Sequence, residues 1–196
     1  MHVRIYYFLC YKQETNNLVI ISYKHNRWGR EKWMSMQDDE ILLKLASTTL
    51  NAILDSLNHV DEETREKILR LCGIACAKET TWGPAIDIAE KISREETSLD
   101  RIIERTNNEI SWCSKWVKRG NIISSTCREC GCPLVRHGIV KNPEVFCDCS
   151  KGWVETIFST LLKRPVQVKL EKSIGRGDDE CRFIVILDDD QQLVYS

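Results

Sequence analysis

Five cysteines between residues 127 and 149 form the part of this sequence best suited to chemistry. They occur as Cys127-Arg-Glu-Cys130-Gly-Cys132, a 14-residue spacer, and Cys147-Asp-Cys149. A Cys-x-x-Cys turn brings two thiolates to one ion, and an extended Cys-x-Cys pair directs both thiols to the same side. Because four thiolates at about 2.3 Å satisfy Zn²⁺ tetrahedrally, the motif predicts a metal site.

The spacing leaves open which cysteines bind, since at least five compete. Cys181 follows a glycine-rich turn at residues 175–179, so it is a further candidate ligand from an adjacent strand. His137, in the spacer, is a candidate fifth ligand or general base, although a lone loop histidine is more often solvated. Cys72 and Cys76 are four residues apart on one predicted helix face. They could form a second half-site, but membership of an apolar core stripe is the simpler interpretation.

Cys149 stands where the pattern predicts the start of a helix. The positive end of a helix lowers the pKa of a thiol and favours the thiolate, either for a metal or for nucleophilic attack. Cys149 is therefore the candidate catalytic residue. The alternative is that it is a buried neighbour of the helix cap.

The composition supports a metal-binding interpretation of the cysteines. The chain has 196 residues, ten of them cysteine, and a net charge of −1. The near-zero charge argues against binding to nucleic acid or to an anionic membrane, and no apolar run approaches the ~18 residues of a membrane span. Without a signal-peptide pattern, a cytoplasmic location is expected, where thiols stay reduced. Redox or disulfide chemistry and inert buried thiols are the weaker alternatives.

The pattern predicts three regions. Residues 1–36 form an N-terminal extension, either a genuine hairpin or an over-extended start. Residues 37–107 form a helical subdomain, with helices beginning near Asp38 or Asp39, at Asp61, at about Ala85 and after Ser98.

Residues 108–196 form the cysteine-rich subdomain. A turn at Gly120-Asn121 precedes an extended segment, Ile122–Cys127. An amphipathic helix follows Cys149, and Val166 begins a strand. The last strand, Cys181–Leu187, has two apolar faces and is therefore predicted to be central in its sheet.

Part of this region resembles a known family. The resemblance rests on Cys147-Asp-Cys149-Ser-Lys-Gly-Trp, a helix, Pro165-Val-x-Val-x-Leu-Glu171-x-Ser-Ile174, and Gly177-Asp-x-x-Cys181-x-Phe. Over roughly residues 120–187 these elements resemble the 4-vinyl reductase (V4R) superfamily, including its L-2-amino-thiazoline-4-carboxylic acid hydrolase-like members. The resemblance implies an α+β fold in which an N-terminal helical bundle packs on a C-terminal antiparallel sheet and encloses a small-molecule pocket.

The resemblance also implies a ligand set. Sensory members bind zinc through cysteines and a glutamate, which correspond here to a cysteine of the Cys147/Cys149 pair, Glu171 and Cys181. The sequence departs from that pattern at Ile174, where another cysteine would be expected. Together with the motif, the candidate metal ligands are Cys127, Cys130, Cys132, Cys147, Cys149, Cys181 and Glu171.

Three functions follow as hypotheses. The first is a zinc-binding protein that senses or carries a small apolar or aromatic molecule. The second is a hydrolase that opens a thiazoline ring by attack from Cys149 or an activated water. The third is an iron–sulfur or thiol-redox protein. The expected partner is a small-molecule ligand or substrate, with no nucleic acid and no membrane. A homodimer is a further hypothesis, based on Trp112 and Trp116 at an expected exposed edge.

Overall fold

A computed structural model of the protein describes residues 36–79, 84–110 and 115–187. The predicted hairpin in the first 35 residues and Trp112 lie outside these ranges. The chain divides into two units, Met1–Ala46 and Ser47–Ser196. All the cysteines considered below belong to the second unit, and the domain boundaries expected from the sequence stay predictions.

The described helices have clear local causes in the sequence. They are α1 Met36–Ser56, α2 Glu62–Lys78, α3 Ala85–Glu95, α4 Leu99–Glu109, the single turns α5 Pro133–Arg136 and α6 Pro143–Phe146, and α7 Cys149–Leu162. Asp61 caps α2 as predicted, because its Oδ1 accepts a hydrogen bond of 2.9 Å from the Thr64 N–H. Asp38 and Asp39, by contrast, lie inside α1 and do not begin it. Among the described residues, no helix is long and apolar enough to cross a membrane.

Four antiparallel strands form one sheet in the order β1-β2-β4-β3. The strands are β1 Val117–Arg119, β2 Ile122–Cys127, β3 Gln167–Lys172 and β4 Cys181–Ile186. Strand β4 is flanked on both sides, which confirms its predicted central place. With helices first and the sheet later in the chain, the fold is α+β. In the β2–β4 pair, Cys127 stands opposite Cys181. The two ends of the cysteine-rich region therefore meet where these two inner strands end.

Two apolar cores hold these elements together. The larger core lies between the sheet, α3, α4 and α7, and it contains Ile92, Ile102, Ile123, Phe158 and Val185. The smaller core joins the end of α1, α2 and the segment around α6, and it contains Leu54, Leu57, Leu69, Val140, Val145 and Phe146. Cys181 packs against the larger core, whereas Cys132 and Cys149 pack against the smaller one.

Two expectations about apolar side chains were wrong. Trp116 is only 5% exposed, and its ring meets that of Phe158 edge-to-face at 4.6 Å between centroids. It therefore belongs to the core and provides no exposed edge for self-association. The 3–4 spacing of apolar residues in α1, which includes Ile41 and Leu45, predicts an apolar face along the helix, but both residues are exposed and burial is confined to the C-terminal part of the helix.

Helices α2 and α7 approach at backbone contact. A Cβ added to Gly73 of α2 would lie 1.8 Å from the Cys149 carbonyl oxygen, and one added to Gly152 of α7 would lie 2.1 Å from the Arg70 carbonyl oxygen. Two ion pairs flank this crossing, Arg70 with Glu155 and Lys151 with Glu66. Since only glycine allows the approach, these two positions set the distance between α2 and the start of α7.

Candidate metal centre

Seven of the described cysteines are free thiols: Cys72, Cys76, Cys130, Cys132, Cys147, Cys149 and Cys181. Cys127 is disulfide-bonded, so its sulfur is already engaged. The free thiols lie around the joint between the sheet, α2 and the start of α7. They divide into two groups according to the neighbouring thiols that raise their pKa values, although Cys147 also acts on Cys149 and Cys130 on Cys132 across the division.

The backbone at Cys147-Asp148-Cys149 causes this division. The sequence predicts an extended Cys-x-Cys pair with both thiols on one side, but Cys147 and Asp148 have φ of −61° and −62° and helical ψ values. On a helical backbone two residues are about 200° apart around the axis. The two thiols therefore point in opposite directions, and the expectation of a shared side is wrong.

The first thiol group consists of Cys130, Cys147 and Cys181. Burial raises the pKa of the Cys147 thiol and that of the Cys181 thiol, and the nearby Cys130 raises both further. The three residues come from the turn after β2, the segment before α7 and the first position of β4. Their mutual influence shows that the fold brings these separate segments together.

A polar surround completes the first thiol group. The Ile174 N–H donates a hydrogen bond of 3.4 Å to Cys181 Sγ. Ser173 is fully buried, and its hydroxyl has no partner at hydrogen-bonding geometry. That hydroxyl nevertheless lies near enough to Cys147 and Cys181 to lower the pKa of both thiols, against the larger effect of burial. Gly175 leaves the space above Cys147, since a Cβ there would lie 2.3 Å from Cys147 Sγ.

The second thiol group consists of Cys72, Cys76, Cys132 and Cys149. Burial raises the pKa of Cys149 far above its ordinary value, and Cys132, Cys76, Cys147 and Cys72 add to the rise in that order. Burial also raises the pKa of Cys76, and Cys132 is the next cause. The predicted lowering of the Cys149 pKa by the helix end is therefore reversed, because desolvation of the thiolate outweighs the helix dipole.

Charged side chains anchor the segment that carries Cys147 and Cys149. Asp148 is buried and forms ion pairs with Arg176 at 2.6 Å and with Lys151 at 3.0 Å. Arg176 belongs to the 3₁₀ turn Ile174–Arg176 before β4. The ion pair therefore holds the turn that carries Ser173 and Gly175 against the start of α7.

None of the described contacts joins Glu171 or His137 to a thiol of either group. Glu171 sits at a β-bulge between Leu170 and Lys172 and is exposed, with Arg182 4.0 Å from its carboxylate. The carboxylate that raises the pKa of Cys181 is that of Asp178, after burial and Cys130. His137 is exposed. Neither residue has a described contact with a thiol, so a ligand role for either stays a prediction.

The thiols are grouped but not gathered around one point. Within the described ranges, no three His, Cys, Asp or Glu side chains stand at the mutual distances of a finished metal site. A cysteine sulfur moves between three staggered positions by rotation about a single torsion. Closing either group around an ion therefore requires at least rotation of the cysteine side chains.

A polar cleft of about 440 Å³ adjoins the segment that carries Cys147. Its lining comprises Asn58, Glu62, Arg65, Glu66, Asn142, Glu144, Val145, Asp148, Lys151 and Arg176. Four of these residues are acidic and three are basic, so the cleft is suited to a polar ligand. An apolar or aromatic ligand, as hypothesised from the sequence, would leave these charges unpaired there.

The sequence interpretation preferred a core role for Cys72 and Cys76, with a second half-site as the alternative, and it gave no role to Ser173. Cys72 and Cys76 are exposed, so their assignment to the core was wrong. The sequence signal that could have indicated their role is Cys72-Gly73-Ile-Ala-Cys76. A glycine between two cysteines of one helix allows a neighbouring helix to approach the two thiols. Ser173 carried no sequence signal, since its role depends on complete burial next to two thiols.

Fold and thiols together define a cysteine-rich α+β domain with helices before the sheet. Residues 24–192 match the model of the Family of unknown function (DUF6144), and the chain belongs to that family. No curated protein matches the sequence. The resemblance to the V4R superfamily accordingly stays a prediction.

Two solved structures are similar in fold. One is trafficking protein particle complex subunit 3 from Naegleria fowleri, covalently bound to palmitic acid, with 13% identity, a TM-score of 0.46, and coverage of 76% of this chain and 97% of that one. The other is the phenol-responsive sensory domain of the transcription activator PoxR with phenol, with 12% identity, a TM-score of 0.43 and 84% coverage of each chain. Neither TM-score is high enough for the likeness to support an inference about function.

Proposed function

We propose that the protein is a zinc-binding protein in which Cys130, Cys147 and Cys181 hold the ion. The observation that carries the proposal is the approach of three free, partly buried thiols from three separate segments, two of which, Cys147 and Cys181, lie beside the buried Ser173 hydroxyl. Thiolates are preferred ligands of zinc, and burial favours metal binding over solvation of the free thiolate.

The surroundings of the first thiol group fit a metal–thiolate site. The Ile174 N–H points at Cys181 Sγ, as second-shell donors do at bound thiolates. The buried Ser173 hydroxyl lies beside Cys147 and Cys181, where a metal-bound thiolate would provide an acceptor for it. The lack of a side chain at Gly175 allows Cys147 Sγ to pack directly against the turn that carries Ser173. Each of these features supports the proposal independently of the cysteine spacing.

Three protein ligands leave one tetrahedral position of zinc for a water or a small molecule. The polar cleft adjoins this site through Glu144, Asp148 and Arg176. The described surface of this cleft supports the binding of a small polar ligand and does not support the binding of an apolar one. The zinc would also join the turn after β2, the segment before α7 and the start of β4.

The alternatives have less support. Cys149 as a nucleophile would need a lowered pKa, but burial raises it. Its nearest titratable neighbours are other thiols, which metal would occupy. An iron–sulfur cluster uses the same ligand type, and it would be recognised by a brown protein that contains iron and sulfide.

The test is the metal content of the full chain purified under anaerobic, reducing conditions. We expect bound zinc, and we expect Cys147→Ser and Cys181→Ser each to lose the zinc of this site. Glu171→Gln is the matched control from the same sheet edge, and it is expected to retain the wild-type zinc content.

Absence of bound metal from the wild-type chain would contradict the proposal. So would unchanged zinc content in both cysteine variants, provided that circular dichroism shows that they fold. Loss of zinc from Glu171→Gln would contradict the proposed ligand set, because it would indicate the Glu171 carboxylate as a ligand in place of Cys130.

A further inference from the structure

The second thiol group supports an inference that the first site does not require. We propose that Cys72, Cys76, Cys132 and Cys149 form a second metal site, in which four thiolates bind zinc at the crossing of α2 and α7. The two sites would share no ligand, and each can be lost without the other.

The helix crossing provides the placement. Gly73 lies against the Cys149 carbonyl, and Cys72 and Cys76 stand on either side of Gly73 in the same helix. Residues four apart differ by only about 40° around a helix axis, so the two α2 thiols lie on one face, one turn apart. The contact at Gly73 therefore places this pair beside the first residue of α7.

Cys132 provides the fourth thiol from a different segment. It precedes α5 as its cap residue and packs, like Cys149, against the smaller apolar core. The thiols of Cys132 and Cys76 influence each other directly, and both influence Cys149. The four residues thus come from three segments that approach one another beside the α2–α7 crossing.

The ligand number and exposure suit a structural zinc ion. Four thiolates fill the tetrahedral coordination of zinc and leave no open position. Cys149 is partly buried, whereas Cys72 and Cys76 are exposed, so the ion can enter from the α2 side.

Ion pairs hold the two helices in register around this group. Arg70 Nη2 donates to Glu155 Oε1 at 2.7 Å, and Lys151 Nζ donates to Glu66 Oε1 at 2.8 Å. Both pairs join α2 to α7. In this proposal the cysteine side chains rotate to enclose the ion between the joined helices.

The experiment measures zinc per chain in the full-length wild type, Cys72→Ser/Cys76→Ser and Cys147→Ser/Cys181→Ser, all purified anaerobically. We expect two equivalents in the wild type and one in each double variant. The α2 pair is chosen because both side chains are exposed, so the substitutions do not disturb the core. Leu71→Ser, at the neighbouring exposed position of α2, is the matched control and should retain two equivalents.

Cobalt(II) exchanged for zinc gives the second readout. The remaining cobalt in Cys147→Ser/Cys181→Ser should show the charge-transfer and ligand-field bands of a four-thiolate tetrahedral site. Substitution of Cys76 alone should weaken these bands.

The outcomes separate the two sites. Equal zinc content in Cys72→Ser/Cys76→Ser and in the wild type would overturn the second site and leave the first intact. Loss of zinc only from the α2 variant, with none from Cys147→Ser/Cys181→Ser, would overturn the first site and support the second. A wild type without metal would overturn both.

Discussion

Burial determines what the individual cysteines can do. Cys149 begins a helix, yet desolvation of its thiolate raises its pKa strongly. A thiol in this state is a poor nucleophile near neutral pH, because so little of it is ionised. A metal ion removes this obstacle, since it binds the thiolate directly and displaces the proton. Metal binding and nucleophilic attack are therefore opposed uses of the same residue, and its surroundings favour the metal.

The ion pair between Arg105 and Glu109, which lies away from the thiols, permits a separate test of how the structure places side chains. A hydrogen bond from Arg105 lowers the pKa of Glu109 below its ordinary value of 4.5. Because this pKa is depressed in the folded state, the stabilisation is present above pH 4.5. It is lost as the pH falls through the lowered pKa.

Arg105→Gln should raise the pKa of Glu109 towards 4.5, as measured by NMR titration of its side-chain carboxyl carbon. The stability difference from wild type should shrink as the medium is acidified below pH 4.5. Arg101→Gln, which removes the exposed pair with Glu104 in the same helix, is the control. A Glu109 pKa that is the same in wild type and Arg105→Gln would contradict the described ion pair.

The crossing of α2 and α7 is the element contact on which both thiol groups depend. At an ordinary helix position, replacing glycine with alanine stabilises a protein by about 0.5–1 kcal/mol. At Gly73 the new Cβ would lie 1.8 Å from the Cys149 oxygen and 2.9 Å from the Trp153 nitrogen. These are backbone atoms, so no side-chain rotation can relieve the overlap.

Gly73→Ala should therefore lower the free energy of unfolding by about 1–3 kcal/mol in urea denaturation. The reverse change two residues later, Ala75→Gly at an exposed position, is the control and should cost only about 0.5–1 kcal/mol. A Gly73→Ala variant as stable as wild type would show that the two helices do not meet at this distance.

For the whole chain, the proposed metal ions would contribute to stability by mass action. A site that binds zinc only in the folded state contributes about 2.7 kcal/mol when free zinc is about 100 times Kd. For a chain of this size, that corresponds to an increase in Tm of about 5–10 °C. A strong chelator should lower the Tm of the wild type by about that amount for each zinc ion removed, and added zinc should restore it.

The same measurement on Cys147→Ser/Cys181→Ser and Cys72→Ser/Cys76→Ser would apportion the effect between the sites. Each variant should show a smaller response to the chelator than wild type. An unchanged Tm after removal of all bound zinc would mean that neither ion stabilises the fold.

Local patterns in the sequence were sufficient for most elements. The cap at Asp61, the turn at Gly120-Asn121 and the bounds of β2 were predicted correctly, because each depends on a few neighbouring residues. The central place of β4 was also predictable, since a strand with two apolar faces must be covered on both sides. The predicted burial of Ile41 and exposure of Trp116 failed, because burial depends on what the rest of the chain places nearby.

The cysteine spacing in the sequence was enough to identify metal as the leading hypothesis, but it pointed to one site. The division of the thiols into two groups came from the helical backbone at Cys147-Asp148-Cys149, which turns neighbouring thiols away from each other. The inclusion of Cys72 and Cys76 came from the contact between Gly73 and Cys149. Both facts depend on how segments distant in sequence pack together. Spacing along the chain indicates which neighbouring cysteines can bind the same metal ion. Which cysteines from distant segments join them is decided only by tertiary packing.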